Sequence, residues 1–155
     1  MADSATSCAA LSAPRRPTAT RAIPVPEHLR LGFLPRVFGP QHCGAAEAAV
    51  FDAMRRLCPD YCASNWHFYD LSNGGFYMAP EDTAAAGQPP TTLLVCAPSG
   101  EQVHLSCDAA GIAATLDALM AVFWEGLDSM VNAYYRLRDF AIEHPEHQGI
   151  LRVVD

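Results

Sequence analysis

The sequence holds 155 residues, half of them apolar and 17% charged, with a formal net charge of −7. Length and composition of this kind describe one globular domain with enough chain for a hydrophobic core, and exclude a disordered protein. No apolar run approaches the roughly 18 to 20 residues needed to cross a bilayer, and the acidity excludes the clustered cations of a DNA-binding surface.

All ten basic residues are arginine, and they are unevenly spread. Through Pro40 five arginines face Asp3 and Glu27, a net +3; from Gln41 onward five arginines face fifteen acids, a net −10. An acidic body of that size keeps a domain soluble and also suits a basic partner.

Residues 1–28 read as a disordered Pro/Arg-containing leader, and residues 29–155 as a single α+β domain. Pro14, Pro17, Pro24 and Pro26 break any secretory apolar run and oppose the amphipathic helix of a transit peptide, so a cytoplasmic protein is expected. Arg30 to Gly39 carries Leu31, Phe33, Leu34, Val37 and Phe38 but is short and interrupted by Pro35, so it reads as a strand or extended docking segment. Gly44 to Cys58 is expected to be a helix, because Ala46, Ala49/Val50, Ala53 and Leu57 recur at the spacing of one buried face. Its alanines predict a close neighbour, and Pro59 stops it.

Trp66 to Pro80 predicts a β-hairpin. Its aromatic start runs into Asn73-Gly74, the dipeptide that supplies the positive φ angles of a two-residue type I′ turn. That turn pairs Ser72 with Gly75, Leu71 with Phe76, Asp70 with Tyr77 and Tyr69 with Met78. One face then carries His67, Tyr69, Leu71, Phe76 and Met78, the other Trp66, Phe68, Asp70, Tyr77 and Ala79. Aromatics on both faces mean that helices cover both, or that one face is a recognition surface. Glu81 to Pro90 reads as a loop, and Thr91 to Ala97 with Gln102 to Ser106 as two strands about a Pro98-Ser99-Gly100 turn. Ser106 or Asp108 caps the next helix, which runs to about Glu125 with Ile112, Leu116, Leu119/Met120 and Phe123 inward. After a break at Gly126, a helix from Asp128 to about His144 presents Leu127, Met130/Val131, Tyr134, Leu137 and Ala141 to the core. Pro145 ends it, and Gly149 to Val154 packs as a strand or final turn. The fold class is thus α+β: a small antiparallel sheet of three or more strands, including the 65–80 hairpin, packed with about three to four helices.

Catalytic constellations are scarce. The chain has no P-loop, dinucleotide glycine motif, HExxH or nucleophile elbow. Cys58, Cys62 and His67 have the count of a zinc site, but Pro59 separates the thiols, and buried structural cysteines are the preferred reading. Cys107 beside Asp108 is read as structural too, since the carboxylate opposes thiolate formation. His144-Pro145-Glu146-His147 is read as a solvated helix end, the proline breaking the face that would present both imidazoles. Asp139, Glu143 and Glu146 fall at i, i+4 and i+7 and form a ridge too sparse to copy DNA, which carries about one charge per 1.7 Å of axis.

Several of these segments together resemble the ArdB/KlcA family of antirestriction proteins. They are Phe33-Leu34-Pro35-Arg36-Val37-Phe38-Gly39, Trp66-His67-Phe68-Tyr69, Leu71-Ser72-Asn73-Gly74-Gly75-Phe76-Tyr77-Met78-Ala79-Pro80, Ser106 with Asp108-Ala109-Ala110-Gly111-Ile112, and Leu137-Arg138-Asp139-Phe140-Ala141 with His144-Pro145. The leader and the 81–90 loop depart from the family pattern. The resemblance implies a protein of plasmids or other mobile elements that relieves host type I restriction of incoming plasmid or phage DNA. It implies action by binding rather than catalysis, with no cofactor, no metal, no direct DNA contact and no membrane. The partner implied is the type I restriction–modification machinery or an associated host factor. The alternatives are an acidic DNA mimic in the enzyme's DNA site, or a small metal-dependent hydrolase. The residues expected to meet the partner are Trp66, Asp70 and Tyr77, as exposed members of the hairpin, and the Asp139/Glu143 ridge.

Overall fold

The computed structural model describes residues 18–62, 65–124 and 128–155. Strand β1 (Ala22–Pro24) and a single 3-10 turn (Glu27–Leu29) lead into α1 (Arg30–Phe38) and α2 (Cys43–Leu57). The hairpin follows as β2 (Trp66–Leu71) and β3 (Phe76–Pro80), then β4 (Thr92–Cys96) and β5 (Gln102–Ser106). Helices α3 (Cys107–Trp124), α4 (Met130–Glu143) and α5 (His147–Val154) complete the chain. The strands form two antiparallel sheets, β1-β2-β3 and β4-β5, rather than one. The fold is α+β, as expected.

The domain begins earlier than residue 29. Ala22, Ile23 and Pro24 pair with Leu71, Asp70 and Tyr69, and Val25 N–H donates to Phe68 O, so this stretch of the expected leader is an edge strand of the sheet. The remainder of the leader, residues 1–17, lies outside the described residues. Prolines at 24 and 26 are compatible with an edge strand, where missing N–H groups break no interior ladder.

Residues 30–38 form a helix, correcting the extended reading. Phe33, Leu34, Val37 and Phe38 repeat at helical spacing, and Phe33 and Phe38 are buried. Pro35 removes one helical bond, but the carbonyl deprived of it belongs to Leu31, which is 95% exposed. Burial of two phenylalanines outweighs that loss. Phe33 stacks on Phe68 at 4.9 Å, and both Phe33 and Phe38 meet the edge of Phe76. Gly39, at φ +80, ends the helix. The α2 stripe is as expected, with Ala46, Val50, Ala53, Met54 and Leu57 buried.

The hairpin register is shifted by one residue on β3. Asp70 pairs with Phe76, Tyr69 with Tyr77 and Phe68 with Met78. The turn is a three-residue loop: Gly74 N–H donates to Leu71 O, Leu71 N–H donates to Gly75 O, and positive φ falls on Gly74, not Asn73. A type I turn closed by a left-handed glycine has this geometry. Asn73 instead uses its side chain, accepting from Gly75 N–H and donating to Arg136 O. The shift exchanges the faces of β3. Phe68, Asp70 and Phe76 now lie toward α1, with Trp66 against Phe51 of α2, while Tyr69 and Tyr77 stack on one another at 4.7 Å toward Phe140 of α4. Helices therefore cover both faces.

Helix α3 is the centre of the core. Ala109, Ala110, Ile112 to Leu116, Ala118, Leu119 and Val122 are all buried, a wider surface than the single stripe expected. The side chain of Phe123, and all of Gly126 and Leu127, lie outside what the structure describes. The helix lies along the free edge of β3. Met78 turns its N–H and C=O away from β2, and Thr115 meets both: its hydroxyl accepts the N–H at 3.2 Å and shares its proton between Gly111 O at 2.8 Å and Met78 O at 3.3 Å. A Cβ on Gly111 would stand 2.5 Å from Ala79 Cα and Met78 O, so only glycine permits this approach.

On α4, Met130, Ala133, Leu137, Phe140 and Ala141 are buried. Residues 147–154 are helical rather than a strand, with Ile150 and Val153 buried at i and i+3. Gly149 sits against Leu105, where a Cβ would be 2.6 Å from Cδ2, which seats α5 closely on β5.

Gly111→Ala is expected to lower the unfolding free energy by about 2 kcal/mol or more in urea, because overpacking here meets backbone rather than a movable side chain. A loss below about 0.5 kcal/mol, the range of an ordinary surface change, would show that α3 can draw away from β3.

Candidate functional site

Four parts of the chain meet where the hairpin ends and α3 begins. His67 and Tyr69 come from β2, Ala79 and Pro80 from the end of β3, Asp82 and Pro90 from the loop, and Ser106, Cys107 and Asp108 from the β5–α3 junction. Together they line an open cavity of about 250 Å³.

Each wall is fixed by hydrogen bonds. Ser106 Oγ accepts Ala109 N–H and caps α3, while the Glu146 carboxylate accepts from Ser106 N–H at 2.9 Å and from its hydroxyl. Asp82 accepts the backbone N–H groups of Ala84 and Thr91, which hold its carboxyl below the usual range and keep it ionised. His67 Nδ1 accepts from Arg30 at 2.9 Å, and Nε2 lies 3.7 Å from Glu81.

Behind the cavity Asp108 joins two aromatic partners. Tyr77 Oη donates to one carboxylate oxygen at 2.7 Å, and His144 Nε2 lies 3.2 Å from the other. Glu146 N–H donates to His144 Nδ1, so the ring proton resides on Nε2 and points at Asp108. Burial, and then the Asp108 carboxylate, push the Tyr77 phenol far above its ordinary value. Burial and Asp108 also raise Tyr69, with Arg30 partly opposing. The Cys107 thiol is raised by burial and by Asp82, and Cys58 by burial and Asp60, so neither is poised as a thiolate nucleophile. Among the described residues no three His, Cys, Asp or Glu side chains gather to hold a metal ion.

The residues expected at an interface are placed differently from one another. Tyr77 is 1% exposed and belongs to the core, correcting its expected exposure, because the register shift turns it toward α4. Trp66 is half-buried between Phe51 and Tyr61. Asp70 is half-buried and accepts both bonds of a bidentate pair from Arg36, at 2.9 and 3.0 Å. Asp139 and Glu143 are exposed, and Glu143 accepts Thr20 N–H. Glu146 leaves their ridge and turns inward to Ser106. The 144–147 segment is thus a structural junction rather than a solvated end. The convergence of His67, Tyr69, Asp82 and Asp108 was not foreseen. Its signal was the presence of Ser106, Asp108 and His144 beside the hairpin in one set of recognisable segments.

The pattern that describes antirestriction proteins matches residues 59–155 of this chain. Two Escherichia coli proteins named antirestriction protein KlcA are each 42% identical to it; one aligns over 84% of this chain and 92% of its own length, the other over 90% and 96%. A solved structure from work on the KlcA and ArdB proteins is 41% identical, with a TM-score of 0.77 over 94% of this chain and all of that one. Those proteins show a novel fold and antirestriction activity against type I DNA restriction systems in vivo but not in vitro.

Tyr77→Phe is expected to cost about 1.5 to 3 kcal/mol, the net worth of a hydrogen bond to a charged group. A raised phenol binds its proton more tightly in the folded state, so its stabilisation is complete below the unfolded value near 10 and falls as pH rises beyond it. Denaturation followed between pH 8 and 11 should show an alkaline loss that is smaller in the phenylalanine variant; equal losses would remove Tyr77 as its source.

Proposed function

We propose that this chain, which belongs to the antirestriction protein family, relieves host type I restriction of incoming plasmid or phage DNA by binding, in the cytoplasm, to the restriction machinery or to a host factor that machinery needs. The observation that carries this reading is the activity of its solved relatives in vivo but not in vitro. A component present in the cell and absent from the purified reaction accounts for that difference. The site supports binding over catalysis: burial and Asp82 raise its Cys107 thiol, and Asp108 and His144 are bonded to each other, to Tyr77 and to Glu146 N–H.

The surface proposed for the partner includes the exposed pair Asp139 and Glu143, with Trp66 and Asp70 at the hairpin. Tyr77 is withdrawn from it. A DNA mimic is the second reading, but the acids that remain on the ridge are two, far from the density of about one charge per 1.7 Å of duplex axis.

Cells carrying a type I system and expressing this chain should plate unmodified phage at least tenfold more efficiently than cells without it. Unchanged plating across several type I classes would refute the assignment. Tight, salt-sensitive binding to the purified restriction complex would instead favour the mimic.

A further inference from the structure

We propose that the cavity between the hairpin and the start of α3 receives a cationic side chain, an arginine or a lysine, of the partner protein. This rests on the binding reading above and names the chemistry that the partner presents.

Size, charge and shape point to the same occupant. The cavity of about 250 Å³ is smaller than the roughly 300–1,000 Å³ that encloses a whole small molecule, and suits one long side chain. Carboxylates stand on two walls that come from different segments, Asp82 on the loop and Asp108 on α3. Backbone N–H groups keep Asp82 charged and fix its position without neutralising it. Asp108 is 41% exposed at its side chain and, with each oxygen accepting one bond, keeps lone pairs to accept others.

Tyr69 lines the same cavity, its ring held flat against Tyr77 at 4.7 Å with 8° between planes. An aromatic face beside two carboxylates attracts a guanidinium or ammonium group. The chain's own cation on this side, Arg30, donates to His67 Nδ1, and Glu81 lies 3.7 Å from the other nitrogen of that ring. An organic cation is favoured over a metal ion, since no three potential ligands gather among the described residues. The net charge of −8 over residues 18–155 would draw a basic partner toward the same body.

The test titrates the full chain with agmatine, which presents a guanidinium on an aliphatic stem, and separately with propionate, following the His67 and Tyr69 resonances by NMR. Agmatine should shift both saturably, and added salt should weaken it. Asp82→Asn should weaken it about threefold, as for one exposed ion pair, while its amide oxygen can still accept the Ala84 and Thr91 N–H bonds. An unchanged thermal midpoint identifies that loss as one of charge. Absence of saturable agmatine shifts, equal affinity in Asp82→Asn, or preference for propionate would each overturn the proposal. Plating on restricting cells is read in parallel: relief without agmatine binding sinks the pocket chemistry alone, and agmatine binding without relief sinks the antirestriction reading alone.

Discussion

The architecture depends on one close approach, that of α3 to the free edge of β3. A strand edge with unpaired N–H and C=O groups is a liability unless covered. Here a helix covers it, which is possible because Gly111 has no side chain and Thr115 offers a hydroxyl where a neighbouring strand would offer a peptide. With that contact made, the sheet is covered by α3 at its β3 edge, and β1 forms the other edge. The all-round apolar surface of α3 then sets where α2, α4 and α5 settle, since each buries its stripe against it. The same contact carries the start of α3, and so Asp108, to the end of the hairpin, where Tyr77 and His144 reach it.

Much of this was legible in the chain, and the failures have physical causes. The helices at 43–57, 107–124 and 130–143 follow from apolar spacing that local propensity supports. At 30–38 Pro35 reads as a helix breaker, but the bond it costs falls on an exposed residue while Phe33 and Phe38 are driven into the core. The hairpin was recognised and its register missed by one residue. Asn-Gly permits both a two-residue and a three-residue loop, and in the three-residue loop Asn73 bonds Gly75 N–H and reaches Arg136 on α4, a contact 63 positions away. That single slip turned Tyr77 from an expected surface residue into a core one. The pocket was not visible at all, because Asp82, Tyr69 and Asp108 have no fixed spacing and meet only when α3 lies along β3.

The structure also separates two kinds of acidity. Glu146 turns inward and, with Asp108 at the cavity wall, serves as a hydrogen-bond acceptor that locks the α4–α5 junction to α3. Others, such as Asp139, remain on the surface. Net charge alone would count them equally and overstate the likeness to a nucleic acid. The proposed binding role rests on the remaining surface groups and on the KlcA and ArdB proteins, whose antirestriction activity is seen in vivo but not in vitro.

Binding and catalysis differ most directly in their dependence on amount. Expression of the chain can be set by a titratable promoter in cells with a counted number of type I complexes, and plating of unmodified phage measured at each level. Relief that rises with the number of copies, and disappears when they fall well below the number of complexes, is the predicted result. Full relief from a few copies per cell would mean that one molecule acts many times, and would contradict a mechanism of binding.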